Sequence, residues 1–337
     1  MRDTTDALAV RHLIYGRLVS DAVCAFAALG LAERIGESGC SARDLASYAD
    51  LHPGRLADLL RLLAAYDLVR FNGDLVRLTA RGRCLRAAHP ASALPTALLV
   101  REVVGPAWGA LEITLRTGRP AFDAVYGRSF FAEIDSDPAL RAVFDESQAR
   151  GAESDLDAVV ARVAGRGHVV DLGGGDGYLL ARLLTEFPAL TGTLIDRPAA
   201  VERARERMRD NGFASRCDCV VGDFFAPLDL ALGAGELLIL RHICHDWDDD
   251  ACVALLTRCR AALGPGARLL VVEHHQPDPD ADIDPMAALM SLYMATVTSG
   301  RERTLAEYEK LLGAAGLTVL DSGAAGGVCV IEAGADR

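Results

Sequence analysis

The chain has 337 residues, 51% of them hydrophobic, which allows about two domains with buried cores. A net charge of −12 weighs against a duplex-DNA partner, no apolar run of about 18 residues or more is present to cross a membrane, and the acid-bearing start Met1-Arg-Asp-Thr-Thr-Asp lacks the apolar region of a signal peptide. The nine cysteines are scattered, and Cys217-x-Cys219 has no second pair at zinc-ligand spacing, which predicts reduced, mostly buried thiols in a cytoplasmic protein.

Residues 8–38 carry apolar residues at spacings of three and four, the helical pattern. Ser41-Ala-Arg-Asp44 reads as the capped start of a short helix ending near Tyr48, and His52-Pro53-Gly54 as a break before a helix over 55–65. Two short alternating runs around Asn72-Gly73 predict a hairpin. Helix, turn, helix, hairpin is the order of a winged helix. DNA reading would need bases on the helix at 55–65, which has only Arg55 and Arg61, so a packing or dimer-forming module over 1–104 is favoured. Residues 105–165 read as a helical connector lining a substrate pocket, ending in a long amphipathic helix from about Pro138 to Ala164. Trp108 and Phe131 in it suit either core or pocket.

From 166 to 337 strand and helix patterns alternate, with strand-like runs at 168–172, 192–196, 217–221, 236–241, 267–273, 316–320 and 327–332. This predicts a parallel sheet covered on both faces, with ligands at the carboxyl ends of the strands. Asp171-Leu-Gly-Gly-Gly-Asp-Gly177 lies between the first strand and a helix. Glycines there let backbone N–H groups approach a ligand at a helix N-terminus. The spacing Gly173-x-Gly175-x-Gly177 is not that of dinucleotide enzymes, and no phosphate-binding lysine follows. Asp196 ends the next strand, where an acid can hold ribose hydroxyls. A nucleoside without a pyrophosphate suits such a loop, and S-adenosyl-L-methionine is one.

Leu240-Arg-His-Ile-Cys-His-Asp-Trp247 follows a strand, and Asp248–Asp250 opens a helix, where capping is favoured over metal binding. His245 falls at the strand end, Glu273 at the end of the next strand, and Glu302 in a turn before the helix 305–315. One imidazole with two carboxylates is how a general base is oriented and kept basic. A phenol, with a pKa of about 10, needs its proton removed as a methyl group arrives. His242, His245, Glu273, His274 and His275 could supply metal ligands, but the two histidines at a strand–loop junction need not converge. No metal is expected.

These motifs resemble those of the metal-independent small-molecule O-methyltransferases of the plant caffeate type and of bacterial natural-product pathways. The likeness covers nearly the whole chain: Asp171–Gly177, Ile195-Asp-Arg-Pro198, Gly222-Asp-Phe-Phe225, Cys244-His-Asp-Trp247, Glu273 and Gly300-Arg-Glu-Arg-Thr304. It implies an α/β fold, a Rossmann-like S-adenosylmethionine domain behind a mostly helical winged-helix-like dimerisation domain. It implies His245 as general base flanked by Glu273 and Glu302. Gly173, Gly175 and Gly177 would hold the methionine part of the cofactor, Asp196 the ribose, Asp223 and Phe224 the adenine, with Asp171, Arg197 and Arg241 as further cofactor-binding residues. The product would be S-adenosyl-L-homocysteine (SAH), and the acceptor a small aromatic intermediate. An intertwined homodimer is implied, with neither nucleic acid nor membrane as partner. The family often carries Phe-Asn-x-x-Met in the connector; this chain has Phe144-Asp-Glu-Ser-Gln148, and Gln148 leaves the donor face more polar. Met286, Met290 and Met294 recur every four residues, so Met290 and Met294, with Trp108 and Gln148, are pocket candidates, ordinary core being the alternative for the methionines. Methylation at carbon or nitrogen, a non-methylating relative, and a DNA-binding regulator are the competing readings.

Overall fold

The computed structural model describes residues 2–335 apart from 152, 279, 280 and 326. By packing, the chain divides into two units, Met1–Pro106 with Ala142–Arg150, and Ala107–Arg141 with Gly151–Arg337. Residues 105–165 are thus shared between the units.

In the first unit the helix Arg2–Ala28 is followed by helices Leu31–Ile35, Ala42–Tyr48 and Pro53–Ala65. The strands β1 (Cys40–Ser41), β2 (Val69–Asn72) and β3 (Leu75–Leu78) form a small antiparallel sheet in the order β1-β3-β2. Ser41 caps its helix by accepting from the Asp44 N–H at 3.1 Å, and the hairpin turns at Asn72-Gly73 as the sequence predicts. The core of this unit gathers Phe26, Leu31, Ile35, Leu45, Leu60, Leu63 and Val76. The helix Arg2–Ala28 turns Leu13, Ile14 and Leu18 outward, Leu13 being 81% exposed.

The helix expected over 138–164 is described as Pro138–Gly151 and Glu153–Val163, on either side of residue 152, which lies outside the described residues.

The second unit is built on a seven-stranded sheet. Its strands are β4 (His168–Leu172), β5 (Thr191–Asp196), β6 (Cys217–Val221), β7 (Glu236–Arg241), β8 (Arg268–His274), β9 (Leu317–Ala325) and β10 (Val328–Ala335), in the order β6-β5-β4-β7-β8-β10-β9. The first five are mutually parallel, whereas β10 runs antiparallel to both neighbours. This corrects the all-parallel expectation: the connection between β9 and β10 is too short for a crossover and can only join antiparallel strands. The pleat sorts the apolar runs. Leu238, Leu240, Leu269 and Val271 face the helices Asp249–Ala262 and Leu305–Ala314; Leu237, Ile239, Leu270 and Val272 face Glu153–Val163, Tyr178–Glu186 and Pro198–Asp210. Strand order reverses at β4, between β5 and β7, which opens a crevice at their carboxyl ends. Among the described residues no helix is long and apolar enough to cross a membrane.

Candidate active site

The glycine loop starts where β4 ends. Gly173 has φ +78°, and a Cβ there would overlap the Ile243 side chain, so only glycine fits. Asp196, at the end of β5, accepts the Gly175 N–H at 2.8 Å through Oδ2 and the Arg197 N–H at 2.6 Å through Oδ1. It therefore shapes the loop, and each oxygen keeps a further lone pair. Gly177 begins the helix Tyr178–Glu186. Beside the loop stands Phe224, near Gly173 on one side and edge-on to Trp247 at 6.0 Å on the other. Asp223 is exposed and accepts the Phe225 N–H at 2.8 Å.

Asp171 is 2% exposed, and its Oδ2 has no hydrogen-bond partner in the protein. Burial pushes it up to about 7, assisted by Asp196 and Asp176 and opposed by Arg241. A buried carboxylate oxygen without a donor, next to a glycine cradle, asks for a cation. S-adenosylmethionine carries an ammonium and a sulfonium, so the residues present fit it.

Two arginines expected at the cofactor have protein partners in this structure. The Arg241 guanidinium grips Asp155 at 2.7 and 3.2 Å, and Asp155 also lies 3.1 Å from His242 Nε2. These partners hold the Asp155 carboxyl well below the usual range despite its burial. Arg197 pairs with Asp135, stacks over the Phe131 ring at 5.0 Å and reaches the Phe131 carbonyl at 3.4 Å. His242, at φ +54°, stacks on His274 at 4.4 Å; burial is the main cause of its low pKa of about 3.

His245 rides on a 3-10 turn, Cys244–Asp246, directly after β7. Its Nδ1 lies 3.0 Å from Glu302 Oε1 and 3.8 Å from Glu273 Oε2. Glu273 spends its other oxygen on the backbone, accepting the N–H groups of Ile243 at 3.0 Å and Cys244 at 2.6 Å. So the two glutamates differ: Glu302 holds the ring, Glu273 the turn beneath it. Burial opposes a charge on the imidazole, but the carboxylates of Glu273, Glu302 and Asp246 outweigh it and push His245 up to about 10. Burial raises Glu273 to about 7 and Asp246 to about 6, against the pull of His245. With Nδ1–H donated to Glu302, the lone pair of neutral His245 lies on Nε2, 4.0 Å from Asp246 Oδ1. The glycine loop is close by: Ile243, two residues before His245, packs on Gly173, and Trp247, two residues after, meets Phe224.

An aromatic wall flanks this turn, Trp247 packing against Phe225 at 4.7 Å and Phe131 at 6.5 Å. On the helix Pro285–Val297 Met294 is buried, Met290 half-buried and Met286 exposed, so the stripe is not uniform core. Tyr293 is pushed up to about 12 by burial and by Asp246. Trp108 is half-buried in the second unit, while Gln148 is exposed and belongs to the first. Sequence reasoning missed Asp155, whose partner Arg241 lies 86 residues on with no local signal. The acid run resolves as capping, Asp248 accepting the Ala251 N–H at 2.9 Å.

A Rossmann-like sheet with a glycine loop, an acid ending the second strand and a histidine turn after the fourth defines a methyltransferase-type catalytic unit. The O-methyltransferase domain family matches residues 108–318, and the chain belongs to that family. It is 38% identical to the O-methyltransferase SfmM3 of Streptomyces lavendulae over 319 residues, covering 92% of this chain and 94% of that protein. It superposes on the mitomycin 7-O-methyltransferase MmcR with a TM-score of 0.92 at 31% identity, over 99% of both chains. A second structure, NcsB1 of neocarzinostatin biosynthesis in complex with S-adenosylmethionine and 2-hydroxy-5-methyl naphthoic acid, matches with a TM-score of 0.82 at 35% identity, covering 94% and 96% of the two chains.

Proposed function

We propose that this protein methylates a phenolic hydroxyl of a small aromatic natural-product intermediate, with S-adenosylmethionine as donor and His245 as general base. The observation that carries the reading is the imidazole fixed through Nδ1 by Glu302, its Nε2 left to take a proton. When bound, S-adenosylmethionine supplies a methyl group already activated by its sulfonium. Gly173, Gly175 and Gly177 shape its cradle, Asp171 takes the ammonium, and Asp196, Asp223 and Phe224 line the nucleoside side. Glu302 stabilises the imidazolium that forms, and Glu273 keeps the turn in place. A cation at the glycine loop also opposes the charge on His245, favouring the neutral ring that a base requires. Relatives acting on naphthoates and on amino-hydroxybenzoate support an aromatic acceptor, and the ring wall of Phe131 and Trp247 suits one. The test is incubation with methyl-labelled S-adenosylmethionine and a panel of phenols. Label on oxygen, located by NMR, is expected; label on carbon or nitrogen, or no SAH formed, refutes the reading.

Asp171→Asn is expected to weaken SAH binding about tenfold or more, the worth of a charge-assisted hydrogen bond. Calorimetry checks this, and unchanged affinity would remove Asp171 from the ammonium site.

The same reading includes a cytoplasmic homodimer. The apolar face at Leu13, Ile14 and Leu18 is the kind of surface a second copy covers. Leu13→Arg with Leu18→Arg is expected to give monomers by light scattering, and a wild-type monomer would refute the dimer.

A further inference from the structure

Arg303 is the largest fully buried side chain among the described residues, yet it is a charged one at 0% exposure. Its Nε and Nη2 bind Asp249 Oδ1 at 2.9 and 2.7 Å. Nη2 also donates to the Trp247 carbonyl at 2.7 Å, and Nη1 to the carbonyls of Cys244 at 3.0 Å and Arg301 at 3.5 Å. Every N–H of the guanidinium is thereby placed. The carbonyls of Cys244 and Trp247 bracket His245 and Asp246, so one planar cation joins both ends of the turn.

The neighbouring backbone makes the same approach. A Cβ on Gly300 would overlap the His245 carbonyl oxygen, so the chain at 300 lies flat against the back of the turn. The thiol of Cys252 donates to the Cys244 carbonyl at 3.0 Å, and Glu273 takes the Cys244 N–H. The short segment 300–303 therefore holds the turn in three ways: Gly300 by close approach, Glu302 through the imidazole, Arg303 through the flanking carbonyls. Burying a guanidinium is unfavourable until its partners offset the lost hydration, and apolar side chains often stabilise as well or better. What an apolar residue could not do is bind two carbonyls three residues apart.

We infer that Arg303 is a positioning residue for the methyl transfer, setting where His245 Nε2 stands by fixing the Cys244 and Trp247 carbonyls. The inference rests on the reading of His245 as base. Lysine keeps the charge but cannot reproduce the planar fork. A displacement of about 1 Å at a reacting group costs roughly 10²-fold in rate.

The test compares Arg303→Lys, His245→Ala and the double variant. Arg303→Lys is expected to lower kcat about 10²-fold, with SAH affinity within about twofold of wild type and little further loss in the His245→Ala background. Asp249→Ala, which frees Nε and Nη2 from the solvent side, is the milder second variant and is expected to lower kcat several-fold with the same non-additivity. In histidine-labelled protein bound to SAH, the Nδ1 proton resonance of His245 should shift or vanish in both variants. A fall in Tm with kcat unchanged would overturn the inference, as would a loss equally large without His245. Wild-type turnover by His245→Ala would instead sink the base reading, and the Nδ1 resonance alone then judges Arg303: retained, it overturns the positioning role; lost, it supports it.

Discussion

His245→Ala is expected to lower kcat by about 10²- to 10⁴-fold, the usual worth of a positioned base, while SAH affinity stays within about twofold. The split follows from the geometry. The imidazole is held by Glu302, and the glycine loop is shaped by Asp196, so removing the ring leaves the nucleoside site standing. It also leaves a buried phenol with no acceptor for its proton. Single-turnover kinetics with labelled S-adenosylmethionine, beside calorimetry with SAH, measures both halves. Loss of SAH binding together with turnover would place His245 in the scaffold instead.

Glu302→Gln separates charge from shape. The amide can still accept from Nδ1–H, so the ring keeps its orientation, but the imidazolium formed during transfer loses its nearest counter-charge, now 3.0 Å away. The expected fall in kcat is about 10- to 100-fold, corresponding to a charged hydrogen bond of roughly 1.5–3 kcal/mol. The pH dependence moves in a defined direction. Glu273 and Glu302 both raise the His245 pKa, so neutralising one lowers it. A base works deprotonated, and the rising limb of the rate against pH therefore shifts to lower pH in Glu302→Gln. A lower plateau with a limb displaced toward acid is the signature; an unmoved limb would mean that another group titrates. Glu273→Gln differs, because the oxygen it uses receives the Ile243 and Cys244 N–H groups. Its amide can still accept them, provided the carbonyl oxygen takes that place.

Much of this architecture was legible in the residues because the signals are local. The hairpin at Asn72-Gly73, the Ser41 cap and the glycine loop each depend on neighbours a few positions apart. The strand ends also gathered His245 and Glu273, since parallel strands deliver their carboxyl ends to one edge, and Glu302 joins them from the turn before the helix Leu305–Ala314. What stayed hidden depends on partners distant in sequence. The division of labour between the glutamates turns on which oxygen meets which N–H. The Arg241–Asp155 pair spans 86 residues. Arg303 stood inside a motif already singled out, but nothing in Gly300-Arg-Glu-Arg-Thr304 tells a fully buried arginine from the half-buried one two places earlier.

The most direct measurement is a crystal structure with SAH and the phenol that accepts label in the turnover assay. The account predicts the phenolic oxygen at hydrogen-bond reach of His245 Nε2, about 2.6–3.2 Å, with Nδ1 still on Glu302. A phenolic oxygen bonded to another protein group, with Nε2 turned away from it, would contradict the account.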